Sequence, residues 1–253
     1  MRGLAQKVAV VTGAAKGLGR AIAARLSEEG CITCIIDLME EGQLTAESIS
    51  KETEQSVFFF RADITKEEEL QAVFSQIERQ LGRVHILVNN AAVFVFKGIE
   101  ANAEDWNYIN GVNVAGTSLV TKHCVPLMKG EGGSIVNVSS ISGMIGQPNF
   151  ATYNATKFAV RGLTKCWAID LAKYNIRVNS VCPGYIQSES ALQYCENRDL
   201  DPEIVNRRIS HLHILGRQGS PDEVAAAVCF LASDDASFIT AEDLVVDGGY
   251  IAK

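Results

Sequence analysis

Short runs of aliphatic and β-branched residues recur at Val8 to Val11, Ile32 to Ile36, Val57 to Phe60, Ile86 to Asn89, Ile135 to Val138, Arg177 to Val181 and Leu244 to Val246. They are too short for buried helices and lack polar alternation, so each predicts a strand covered on both faces. The stretches between them follow another rhythm. Leu18, Ile22 and Leu26 recur every four residues, and Glu68 to Leu81, Asp105 to Met128, Ala151 to Lys173 and Asp222 to Ala232 read as amphipathic helices. Alternating strands and helices imply parallel pairing through helical crossovers. The predicted fold class is α/β: a doubly wound, Rossmann-like, seven-stranded parallel sheet with helices on both faces. No Pro/Gly/Ser-rich linker or charge block interrupts the chain, which predicts a single domain over residues 1–253.

Sheets of this kind bind ligands beyond the carboxyl ends of their strands. After the first strand comes Thr12-Gly13-Ala14-Ala15-Lys16-Gly17-Leu18-Gly19, then a helix. Glycines there allow a tight turn and close backbone approach to a pyrophosphate, whose charge meets the helix N-terminus. The G-x-x-x-G-x-G spacing matches the generic dinucleotide fingerprint only loosely, and a glycine turn made for packing alone is the competing explanation. A P-loop is excluded by the missing Gly-Lys-Ser/Thr.

The second strand ends at Asp37, where a carboxylate can accept hydrogen bonds from ribose hydroxyls and repel a 2′-phosphate. This points to NAD rather than NADP. Lys16 pulls the other way, and Asp37 is given the greater weight because it penalises the phosphate directly. Asp63, with Ile64 beside it after the third strand, fits a contact to adenine or a helix cap before Thr65.

Charge and composition narrow the partners. A formal charge of −7 with scattered Lys and Arg disfavours a nucleic-acid surface, so a small-molecule partner is expected. Seven cysteines, an odd number with no Cys/His cluster at zinc spacing, read as reduced thiols, and with them a cytoplasmic setting. No metal site is expected. The apolar run after Lys7 breaks at Thr12 and Gly13, too short for a signal sequence, and no run of apolar residues is long enough to span a membrane. The sequons at Asn137 and Asn154 fall in a predicted strand end and a predicted helix, so chance is the expected origin.

Tyr153 and Lys157 stand four apart in one predicted helix and share a face. A tyrosine is a poor base at neutral pH unless neighbouring positive charge favours its phenolate. Ser140, just past the fifth strand, can polarise the same substrate oxygen, with Ser139 a rival for that role. Tyr-x-x-x-Lys recurs by chance in amphipathic helices; its company gives it meaning.

Together these residues resemble the short-chain dehydrogenase/reductase family over essentially the whole chain. The glycine turn is similar to the family's cofactor turn, and Asn89-Asn90-Ala91 to the segment following its fourth strand, with Asn90 a cofactor contact. Asn113, Ser140, Tyr153 and Lys157 match its catalytic tetrad in order. The resemblance implies that Asn113 holds a helix distortion and a water leading to Lys157. It also implies that Pro183, Gly184, Ile186 and Ser188 cradle a nicotinamide. It implies a homo-oligomer, commonly a tetramer, with the last strand and Asp247-Gly248-Gly249 at a subunit contact. Two departures are Ala92 and Ala241, where the family tends to carry glycine.

The expected function is hydride transfer between NAD and a secondary alcohol or ketone (a small alcohol, sugar or steroid-like substrate), with Tyr153 as general acid/base. Expected substrate contacts are Ser140, Gln147, Tyr153 and Tyr185, in an apolar pocket with Phe94, Phe96, Met144, Ile145, Phe150 and the segment Tyr185 to His213. A lid is expected at about 185–215. His211 and His213 read as surface histidines and receive no role. Two alternatives remain: a 3-oxoacyl-[acyl-carrier-protein] reductase using Arg198, Arg207 and Arg208 as a basic rim, and a cofactor-binding regulatory protein without turnover.

Overall fold

The structure is a computed structural model that describes residues 1–189 and 200–253. The strands are β1 (Val8–Thr12), β2 (Ile32–Asp37), β3 (Val57–Arg61), β4 (Ile86–Asn89), β5 (Gly133–Val138), β6 (Ile176–Pro183) and β7 (Asp243–Val246). All pairings are parallel, in the order β3-β2-β1-β4-β5-β6-β7. The order reverses between β1 and β4, where Ala9 pairs with Ile86 and Val11 with Val88. That reversal opens a crevice at the carboxyl edge.

Adjacent strand residues point to opposite layers, and both layers are apolar. Ala9, Val11 and Ile35 pack beneath α1 (Gly17–Glu28), α2 (Glu41–Thr53) and α8 (Pro221–Ala232), through Ile22, Leu26, Ile49, Val224 and Val228. Val8, Val10 and Ile36 pack beneath α3 (Glu67–Leu81), α5 (Thr117–Met128) and α6 (Ala151–Leu171), through Leu70, Phe74, Ile77, Val120, Met128 and Ala168. The doubly wound fold therefore follows from strands that bury both faces.

The stretch expected as one helix over Asp105 to Met128 is interrupted. It comprises α4 (Ala103–Asn110), a π-helical turn over Gly111–Gly116, then α5. The wider turn lets Asn113 reach inward, and the backbone of Gly116 lies so close to Ile64 that an added Cβ would stand 2.9 Å from its Cδ1. Among the described residues two further α-helices appear outside the predicted set: α2, and α7 (Pro202–Ser210) within the expected lid. Residues 190–199 of that expected lid lie outside the described residues.

The family-related glycine departures separate. Ala92 has no left-handed backbone, whereas Ala241 adopts φ +60°, the conformation glycine accommodates more easily. Among the described residues, no helix is long and apolar enough to cross a membrane.

Candidate active site

The glycine turn is built by steric necessity. Gly13 and Gly17 have φ +65° and +59°, and a Cβ on Gly19 would stand 2.1 Å from the Gly13 carbonyl oxygen. Asn90 secures the turn from β4: its Nδ2 donates to the carbonyls of Thr12 and Gly13, each at 2.9 Å. Helix α1 then starts at Gly17 with no acidic residue in its first turn, leaving its positive end for an anion.

Asp37 ends β2 beside this turn. Its carboxylate accepts from the Ala15 amide at 2.9 Å and the Met39 amide at 3.0 Å, fixing the oxygens at the cleft wall. Asp63 has a local task, accepting from the Thr65 amide at 2.9 Å and the Thr65 hydroxyl at 2.8 Å. It lines the cleft as well, so the two expectations for it are compatible.

At the other end of the crevice, α6 carries Tyr153 and Lys157, 8% and 4% exposed. The Lys157 ammonium donates to the Val138 carbonyl at 2.8 Å and lies 5.5 Å from the centre of the Tyr153 ring. The Ser140 hydroxyl stands near enough to the Tyr153 phenol to favour its ionised form. The rivalry between the adjacent serines resolves geometrically: Ser139 donates to the Lys157 carbonyl at 2.9 Å, while Ser140 accepts from the Ser142 amide at 3.1 Å and faces the tyrosine.

Burial shapes the acid–base chemistry. It raises the Tyr153 phenol above the ordinary tyrosine range, an effect that the Ser140 hydroxyl only partly opposes. It also lowers Lys157 to about 8. Within the chain alone, Tyr153 is thus a held acid, and positive charge close to the hydroxyl is needed to draw it toward phenolate.

Asn113 is buried and does not line the cleft. Its Oδ1 accepts from the Val93 amide at 2.8 Å, and its Nδ2 donates to the Val93 carbonyl at 3.0 Å and to Thr156 Oγ1 at 3.2 Å. It pins the loop after β4 to α6.

The other expected catalytic, cofactor and substrate contacts line one continuous cleft of about 2210 Å³: Gly13, Lys16, Gly17, Leu18, Gly19, Asp37, Asp63, Ile64, Asn90, Ser140, Gln147, Tyr153, Lys157, Pro183, Gly184, Tyr185, Ile186 and Ser188. Met144 and Ile145, expected in the apolar pocket, do not line it: their amides turn back onto the Ile141 carbonyl, and the Ile145 carbonyl accepts from Asn154 at 2.8 Å. The segment after β6 is held in place by pairing. Gln187 N donates to the Gly219 carbonyl at 2.9 Å, and Gly219 N to the Tyr185 carbonyl at 3.0 Å. Gln147 Nε2 donates to the Tyr185 hydroxyl at 3.2 Å while its Oε1 accepts from Ser142 at 2.6 Å. Phe94 and Phe96 stand 5.3 and 5.4 Å from the Tyr153 ring, and Phe150 packs on Phe96 at 4.4 Å, so the wall around the tyrosine is aromatic.

The segment Tyr185 to His213, expected at the pocket, reaches the cleft through Val205, Asn206 and Ile209 of α7, a helix that the sequence pattern did not predict. Its signal was Asp201-Pro202-Glu203, a helix start: Asp201 accepts from the Glu203 amide at 2.8 Å. His213 requires correction. His211 is exposed as expected, but His213 is only 3% exposed, with Nδ1 on the Ile209 carbonyl at 2.9 Å and its ring between Tyr185 and Tyr250. The end of α7 folds it inward.

The same architecture is found in known proteins. Residues 13–251 match the family described as enoyl-(acyl carrier protein) reductase. The trans-4-hydroxycyclohexanecarboxylate dehydrogenase of Sinomonas cyclohexanicum is 37% identical over 98% of this chain and 94% of its own. Cyclopentanol dehydrogenase of a Comamonas strain is 39% identical over 98% of each chain. The aldohexose dehydrogenase of Thermoplasma acidophilum superposes with a TM-score of 0.90 at 34% identity, covering 99% of this chain and 96% of that one. The protein belongs to the short-chain dehydrogenase/reductase family. It is an oxidoreductase that works with a nicotinamide cofactor.

The site fits such a cofactor on its own terms. The turn has no room for side chains at Gly13 or Gly19, the positive end of α1 faces the cleft, and the Asp37 carboxylate, fixed by two amides, lines the cleft beside that turn. Among the described residues no group of three or more His, Cys, Asp or Glu is placed to hold a metal ion.

Proposed function

We propose that this protein interconverts an alicyclic secondary alcohol and its ketone with NAD, through Tyr153, Ser140 and Lys157. The observation that carries the reading is the juxtaposition of a buried tyrosine, with Ser140 beside it and Lys157 behind it, with an aromatic wall in a cleft that also holds Asp37. NAD, when bound, accepts or supplies the hydride. In oxidation Tyr153 takes the proton of the substrate hydroxyl, Ser140 holds the oxygen, and the charge on Lys157 favours the phenolate. In reduction Tyr153 returns the proton. Asn113 keeps the loop after β4 against α6, holding that wall beside the tyrosine.

Asp37 supports NAD over NADP, because its carboxylate is fixed by two amides and cannot swing away from a 2′-phosphate. Phe94, Phe96 and Phe150 present flat apolar surface suited to a ring, in keeping with the cyclic alcohols named for two relatives. The acyl-carrier reading is less well supported. Arg208 lines the cleft, but Glu189 and Glu203 line it too, and Arg198 lies outside the described residues. A homotetramer is proposed on family grounds.

The test is a panel of cyclic and linear secondary alcohols with NAD and NADP, followed by nicotinamide absorbance. Turnover of cyclopentanol or a substituted cyclohexanol with NAD, abolished by Tyr153→Phe, is the expected result. Turnover that survives Tyr153→Phe rejects the mechanism. Binding of NAD without turnover of any alcohol points to the regulatory alternative.

A further inference from the structure

One charged cluster near the site is unused by the chemistry above. Arg161 lies on α6, one turn beyond Lys157 and two beyond Tyr153. Its NH1 donates to the Gly143 carbonyl, at the end of the short 3-10 turn Ile141–Gly143. Its Nε donates to Asp243 Oδ2 at 3.0 Å, and that carboxylate, on β7, also accepts from Lys165 at 2.8 Å and from the Ser180 hydroxyl of β6. The guanidinium is half-buried and the carboxylate nearly wholly so.

The 3-10 turn begins at Ser140. Gly143 N donates to the Ser140 carbonyl at 2.9 Å, and Ser142 N to the Ser140 hydroxyl at 3.1 Å. The turn also packs tightly on α6: a Cβ on Gly143 would stand 2.7 Å from the Lys157 carbonyl oxygen and 3.0 Å from Arg161 Cδ. The contact between turn and helix is therefore tied at both ends. Ser139 bonds the Lys157 carbonyl, and Arg161 bonds the Gly143 carbonyl.

We propose that Arg161, anchored by Asp243, is a positioning residue that fixes the Ser140 hydroxyl relative to Tyr153 by holding the Ile141–Gly143 turn against α6. The proposal rests on the reading of Ser140 and Tyr153 as the reacting pair. The helix acts as a ruler: Tyr153, Lys157 and Arg161 are spaced along one rigid element, and the turn carrying Ser140 is clamped to it. Small displacements at a reacting oxygen are costly, on the order of a hundredfold for about 1 Å. Removing the clamp therefore slows the chemical step while leaving substrate and cofactor contacts in place.

The test compares Arg161→Met, Arg161→Lys, Asp243→Asn and Lys165→Met in the full chain with NAD and the best alcohol of the panel. In Arg161→Met, kcat is expected to fall about ten- to a hundredfold with KM for both substrates within about twofold. Arg161→Lys recovers part of the loss, Asp243→Asn loses kcat in the same way, and Lys165→Met, which does not touch Gly143, stays near wild type. Hydrogen exchange is read in parallel on the amides of residues 141–145, where Arg161→Met is expected to raise the rate. A folded Arg161→Met protein with wild-type kcat overturns the proposal. If that variant does not fold, Arg161→Lys and Asp243→Asn decide it by the same split between kcat and KM. If the wild type turns over no alcohol, the proposed function has failed instead, and exchange at residues 141–145 still decides the clamp: unchanged rates reject it.

Discussion

Lys157 and Tyr153 stand together without a direct hydrogen bond between them: the ammonium is 5.5 Å from the ring centre and spends a proton on the Val138 carbonyl at 2.8 Å. Burial lowers Lys157 to about 8 from an ordinary 10.5, so the folded chain holds this charge at a cost. Below pH 8 the folded and unfolded chains both carry the proton, and the penalty is fully present. Between about 8 and 10.5 the unfolded chain binds more protons, so stability contributed at this position rises with pH. Lys157→Met is therefore expected to be inactive yet more stable at pH 7, by up to about 3 kcal/mol, with the gap closing as the pH passes through that window. Denaturant unfolding at several pH values measures it. A variant less stable than wild type at pH 7 contradicts the account.

The neighbouring serines divide labour, and their variants should separate accordingly. Ser140→Ala removes the hydroxyl facing Tyr153 and is expected to lower kcat by about a hundredfold or more with little change in unfolding midpoint. Ser139→Ala strips a buried bond to the Lys157 carbonyl and is expected to cost about 1–3 kcal/mol of stability, with the smaller kinetic loss. Paired kinetics and thermal unfolding read both, and equal kinetic losses at the two positions would contradict the assignment.

Asp37→Ser takes away the carboxylate proposed to meet the ribose while leaving a hydroxyl able to meet the Ala15 or Met39 amide. The ratio of kcat/KM for NAD over that for NADP is expected to drop by about tenfold or more, roughly 1.4 kcal/mol. An unchanged ratio removes Asp37 from cofactor choice.

Ala241 holds φ +60° while its amide donates to the Val178 carbonyl at 2.8 Å and its carbonyl accepts from Lys165. The backbone is fixed there by the strand beside it, and the methyl group is strained. Ala241→Gly is expected to stabilise the chain by about 0.5–1 kcal/mol, the relief of strain exceeding the added freedom of the unfolded chain. A lowered melting temperature counts against this.

The strands were legible because parallel strands bury both faces, and Val8 to Val11 or Ile32 to Ile36 can do little else. Tyr153, Lys157 and Ser140 were legible as a set through helix spacing and strand ends. Other features depend on contacts that local pattern does not carry. Helix α2 buries only Gly42, Thr45, Ala46 and Ile49, so its apolar stripe is faint. The inward turn at Asn113 needs one extra residue per helical turn, which looks like ordinary helix in a hydropathy pattern. His211 and His213 flank Leu212 symmetrically in sequence, and only the packing of the His213 ring against Tyr185 and Tyr250 sends one inward while the other stays exposed.

The seam between β1 and β4 joins Ala9 to Ile86, and the cleft lies across it, with Asp37 on one side and Lys157 on the other. Three helical connections, through α1, α2 and α3, separate the two strands along the chain, so their pairing closes a long loop and belongs late in the assembly of the chain. A molecule gripped from both sides of the seam finds no binding place until that assembly is done. Its occupancy will therefore act as a latch, slowing the loss of the native state far more than it hastens its arrival.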